Sequence, residues 1–67
     1  MKLKKYLKTN NYTQMSFIKE IEEREGLRIP QGTLAKWITG TRIPRKKEML
    51  LLIRMTDGLV TPNDFYI

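Results

Sequence analysis

Within TQMSFIKEIEEREGLRIPQGTLAKWITG, residues Thr13 to Gly40, two apolar sets repeat at helical spacing. Phe17, Ile18 and Ile21 form the first; Leu34, Trp37 and Ile38 form the second. Side chains three and four positions apart share one face of a helix, so each set predicts an amphipathic helix. Thr13 is placed to cap the first and Gly26 to stop it, which predicts a helix from Gln14 to about Arg24. Glu20 and Arg24 make a favourable i,i+4 pair on its surface. The bridge LRIP leads to the second helix, where Pro30 suits the first helical position and Gly40 supplies the end.

Upstream, Leu3, Tyr6 and Leu7 predict a helix from about Lys2 to Thr9, stopped at Asn10–Asn11. Downstream, PRKKEMLLLIRMTDG predicts a helix opened by Pro44 and closed by Gly58. Its run from Met49 to Ile53 is apolar on every side, so two faces need cover. One meets the core; the other needs the tail or a partner chain. In the tail LVTPNDFYI, Thr61, Pro62 and Asp64 have the spacing of a one-turn cap, Phe65 can pack back, and Leu59–Val60 suits a short extended piece. The expected fold is all-α: one domain over residues 1–67, with four helices and a short ordered C-terminal tail.

Composition excludes several function classes. The 67 residues include no cysteine and no histidine, so disulfides, thiolate metal sites and the commonest general base are absent. Glu20, Glu22, Glu23 and Glu25 have no partner group to focus them and read as a wet helix face. No catalytic residue, metal or cofactor is expected, and an enzyme is the weakest candidate. No apolar run approaches the roughly 18 residues of a membrane span. MKLKKYL has a basic opening without an apolar stretch behind it, so it does not read as a signal peptide and the cytosol is the expected compartment.

The net charge of +6 is unevenly spread. Residues 31–47 hold Lys36, Arg42, Arg45, Lys46 and Lys47 and no acid. A second basic zone, Lys2, Lys4, Lys5 and Lys8, precedes the four glutamates and reads as solvation. Unopposed cations around one short helix favour a polyanionic partner. With Leu34, Trp37 and Ile38 inward, that helix turns Gln31, Gly32, Ala35, Lys36 and Thr39 outward, with Thr33 at the flank. Gln31 offers a donor and an acceptor together, matching adenine in a major groove, and Lys36 can reach a guanine edge or a phosphate. Gly32 and Ala35 lack bulk, so the helix can lie close to base edges. Thr41, Arg42, Arg45, Lys46 and Lys47 sit in sequence where phosphates would pass, and Gln14 or Ser16 could hold another at a helix start. Trp37, Tyr6, Tyr12 and Tyr66 could instead be stacking platforms for single strands. Trp37, at helical spacing from Leu34, reads first as core.

Gln14, the Phe17–Ile18 pair, PQGTLAKW, GTRIP and the ending LVTPNDFY together resemble the small phage Cro and repressor type of helix-turn-helix proteins. The likeness is nearest to short prophage regulators whose chains also stop near TPNDFY, and it spans nearly the whole chain. It implies an operator-binding transcriptional repressor in a bacterial cytoplasm, a homodimer on double-stranded DNA whose second motif helix enters the major groove. Carried over, Pro30, Gln31, Gly32 and Lys36 match base-facing positions. Gln14 and Thr33 match phosphate contacts, and Leu34 and Trp37 match buried ones. Two departures stand out. Ile18 occupies a site that is usually alanine, and EEREGLR makes the connection to Ile29 longer than the family's short turn. The longer connection is expected to extend the helix before it and to project into solvent, its glutamates turned away from DNA.

Two rival functions share the same residues. A protein-interaction module would use the apolar surplus of the fourth helix and the acidic insert. A DNA-binding antitoxin would add a toxin partner to the operator face.

Overall fold

The computed structural model describes residues 1–66, and among them are four α-helices and no strand. They are α1 (Leu3–Thr9), α2 (Gln14–Glu25), α3 (Gln31–Thr39) and α4 (Lys46–Met55), followed by a single 3-10 turn over Pro62–Phe65. Ile67 lies outside the described residues. No helix among them is long and apolar enough to cross a membrane.

The expected stops of the first three helices are real ones, whereas α4 ends at Met55 with Thr56 as its C-cap, short of the expected stop at Gly58. After α1 the chain turns at Asn11, whose φ of 59° is left-handed. Asparagine tolerates that conformation better than most residues. Gly26 (φ 68°) ends α2 and Gly40 (φ 80°) ends α3. At the start of α2, Thr13 Oγ1 accepts from the Ser16 N–H at 3.0 Å and Ser16 Oγ accepts from the Thr13 N–H at 2.9 Å. That reciprocal cap fixes the helix start.

Both prolines sit earlier relative to their helices than the sequence suggests. Pro30 is the N-cap of α3, with extended ψ of 142°, and its carbonyl accepts from the N–H of Thr33 and of Leu34. Pro44 is buried two residues before α4, whose start is set by Arg45. There Glu48 reaches back to accept from the Arg45 N–H at 2.8 Å. α1 begins at Leu3, behind Lys2, and α2 runs one residue further, to Glu25.

α3 packs against both α1 and α2. Phe17 and Ile21 of α2 and Leu34 of α3 have no exposed surface, and Leu51, Leu52 and Met55 of α4 complete the core around them. Tyr12 stands 5.1 Å from Phe17 edge-to-face, and Tyr6 stacks on Tyr12 at 6.3 Å. Trp37 is 2% exposed, so it is core. Its buried Nε1–H has no hydrogen-bond acceptor among the described residues, a desolvation cost set against burial of a large ring. Ile38 is only half-buried, packed at the edge of this cluster.

Leu59–Val60 does not form an extended piece. Val60 is fully buried, and its N–H donates to Thr56 Oγ1 at 3.1 Å. The same hydroxyl donates to the Leu52 carbonyl at 2.7 Å. The tail then turns through the expected cap: Asp64 Oδ2 accepts from the Thr61 N–H at 2.8 Å, and Phe65 packs against the core. Asp64 Oδ2 also meets the Met1 ammonium at 3.1 Å, which brings the two ends of the chain together.

The connection between α2 and α3 is anchored at both ends. Ile29 is buried at 3% exposure, while Gly26, Leu27 and Arg28 are exposed. Glu22 and Glu23 face solvent, as the acidic pattern suggests. Glu20 and Glu25 do not: both are half-buried, and Glu25 is paired with Arg54 of α4.

Candidate nucleic-acid interface

At about 100° per residue, burial of Leu34 and Trp37 fixes which side of α3 looks outward. Gly32, Lys36 and Thr39 fall on the opposite stripe, with Gln31 and Ala35 beside it. Burial agrees: Pro30, Gln31, Gly32, Lys36 and Thr39 are exposed, while Thr33 and Ala35 are half-buried. All four base-facing candidates thus share one rim of the molecule, and Thr33 borders it. The stripe is low in relief, because its N-terminal end is a glycine.

Gly32 is informative by its lack of an internal reason. A Cβ built there would meet nothing within 4 Å, and its φ is not left-handed. Glycine inside a helix costs up to about 1 kcal/mol relative to alanine. Packing within the chain does not account for that cost.

The loop after α3 folds back onto the helix end. The Arg42 N–H donates to the Lys36 carbonyl at 3.2 Å, and the Thr39 and Thr41 hydroxyls are 2.9 Å apart. Thr39 Oγ1 also donates to the Lys36 carbonyl at 3.3 Å, so this hydroxyl serves the helix end before any outside partner. Thr41 and Arg42 are therefore held next to Lys36. Arg45, Lys46 and Lys47 follow at the start of α4, all exposed. Neither ion pair of the described residues, Met1–Asp64 or Arg54–Glu25, uses any cation of this zone. Glu48, the next acid in sequence, caps Arg45 by accepting from its N–H.

At the start of α2 the geometry separates the two phosphate candidates. The Ser16 hydroxyl is committed to Thr13, while Gln14 is half-buried with no such commitment. First-turn N–H groups of a helix have no acceptor within it, so those of Gln14 and Met15 remain open to an anion. Gln14 belongs to a different helix from the rest of the basic zone, and α2 packs directly on α3.

The aromatic alternative loses most of its platform. Trp37 and Tyr6 are buried, Tyr12 is half-buried in the aromatic cluster, and Tyr66 alone is exposed, at 58%. Two structural contributors escape a reading by residue type: the Pro30 carbonyl that starts α3, and the Glu25–Arg54 pair beside the α2–α3 connection. A Pro-Gln step ahead of an apolar pattern is a signal for the first. No local pattern signals the second. No protein-family model, no curated protein and no solved structure matches the chain.

Proposed function

We propose that the chain is a sequence-specific regulator that binds double-stranded DNA, a Cro-like repressor acting as a dimer on a two-fold operator in a bacterial cytoplasm. In this reading α2 and α3 act as a helix-turn-helix and the outer stripe of α3 lies in the major groove. Gln31 and Lys36 read base edges, with Pro30 and Gly32 at close approach. Gln14, Thr33, Thr41, Arg42, Arg45, Lys46 and Lys47 hold phosphates and fix register. Occupancy alone denies the promoter to polymerase, so the function requires no chemical step.

The observation that carries the reading is the pairing of a smooth helix face with cations left outside every ion pair. Arg42 is held beside the Lys36 carbonyl at the end of α3, Arg45, Lys46 and Lys47 are exposed at the start of α4, and the exposed glutamates are on α2. A solvated charge run needs neither the smooth face nor the separation of signs. The test is duplex binding across salt concentrations. If each subunit neutralises roughly four phosphates, the dimer's log–log slope is about −7. A slope near zero contradicts the reading.

A further inference from the structure

Lys2, Lys4 and Lys5, with no acid among them, occupy the cap and first turn of α1. A helix favours negative charge at that end, so the fold gains nothing from this arrangement. Packing separates the three lysines. Lys2 is committed to the tail, its Nζ donating to the Asp64 carbonyl at 2.6 Å. At about 100° per residue, Lys5 falls opposite the buried Leu3, Tyr6 and Leu7, on the side of α1 turned away from the core. Lys4 is exposed as well, but it lines one cleft with Ile38, Thr39 and Gly40 at the end of α3. Neither ion pair of the described residues includes it. Asp64, the carboxylate that lines the same cleft, is committed to the Met1 ammonium and to Thr61.

Thr39 belongs both to the outer stripe of α3 and to this cleft. Gln31, Ala35 and Thr39 follow at steps of four, so the row that carries the base-facing glutamine ends beside Lys4. The rise from Gln31 to Thr39 is about 12 Å, and a major groove is about 12 Å wide. With Gln31 at base edges, the other end of α3 reaches the backbone that borders the groove. Arg42 stands at that end through its N–H bond to the Lys36 carbonyl. We propose that Lys4 stands there as well and holds a backbone phosphate of the same duplex, so that α1 joins the interface. An ammonium on a flexible stem suits a phosphate oxygen, which asks for charge rather than a fixed fork of donors. Lys4 thus leaves the set of solvated lysines, while Lys5 stays in it. This contact rests on the DNA reading above and adds to it a residue that no pattern within α1 singles out.

The test is the salt dependence of binding to the duplex that the wild type enriches from a random pool. Lys4→Gln lowers the magnitude of the dimer's log–log slope by about two, one phosphate per subunit at about 0.9 each. Lys4→Arg keeps the charge and restores the slope. Lys5→Gln removes the same charge from the same helical turn and leaves the slope within about half a unit of wild type. Base preference is the same in all three variants. Thermal unfolding followed by circular dichroism shows neither glutamine variant less stable than wild type, since each removes a cation from the positive end of α1. A Lys4→Gln slope equal to wild type, or a Lys5→Gln slope that falls as far, overturns the assignment of Lys4 and leaves the DNA reading standing. A wild type that enriches no duplex, or binds with a slope near zero, overturns the DNA reading and this contact with it.

Discussion

Arg54 holds Glu25 through two hydrogen bonds to one carboxylate oxygen, 3.0 Å from Nε and 2.8 Å from Nη2. The pair ties the last turn of α4 to the last turn of α2, immediately before the connection that leads into α3. Arg54 is 56% exposed on its side chain, so solvent screens most of the Coulombic attraction. Arg54→Met is expected to lower stability by only about 0.5–1 kcal/mol in denaturant titrations. Its larger effect should be local. Amide exchange should speed up over residues 26–29 while the core amides of α3 keep their protection.

Thr56 is the buried polar residue on which the turn after α4 depends. Its hydroxyl donates to the Leu52 carbonyl and accepts from the Val60 N–H. Thr56→Val keeps the volume and strands the Val60 N–H, which should cost about 1–3 kcal/mol by thermal or denaturant unfolding. Thr56→Ser keeps the bonds and should recover most of that loss.

Asp64 gives the tail its pH dependence. The Thr61 backbone N–H, followed by smaller contributions from the Met1 ammonium and the Thr61 hydroxyl, holds its carboxyl below the usual carboxylate value. A carboxyl lowered on folding binds fewer protons when folded, so it stabilises the fold above its unfolded value of about 3.9. That contribution fades as pH falls through the lower folded value. NMR titration should therefore show the Thr61 amide shifting only below about pH 4. Asp64→Asn should flatten the acid limb of stability against pH.

Much of this architecture is legible in the residues themselves, because its signals are local. Thr13, Asn11, Gly26 and Gly40 act within one turn of where they stand, and the helix ends they mark appear where they imply. Pro30 and Pro44 mislead by one or two positions. Proline is equally at home just before a helix, and Glu48 reaching back to Arg45 decides the matter for α4. The burial of Val60 and the pairing of Glu25 with Arg54 depend on how distant segments meet, which periodicity does not encode. The outward stripe of α3 is legible from Leu34 and Trp37 alone. The commitment of the Ser16 and Thr39 hydroxyls to helix ends is not, since a hydroxyl in a sequence has no direction.

Gly32 separates stability from binding. Alanine fits the space and the helical backbone there, so Gly32→Ala should raise stability by about 0.5 kcal/mol. If α3 lies against base edges, the added methyl group should weaken duplex binding several-fold at the same salt. Unfolding curves and binding isotherms on the same preparation check the opposed signs.

The most direct measurement of the central claim is selection of bound duplexes from a random pool by the wild type and by Gln31→Ala in parallel. The wild type should enrich a palindromic site. Gln31→Ala should keep the symmetry and lose preference at one base pair per half-site, a loss of about 1–3 kcal/mol in discrimination at that position. An unenriched pool, or a Gln31→Ala profile identical to the wild type, would contradict the assignment of the α3 rim to base reading.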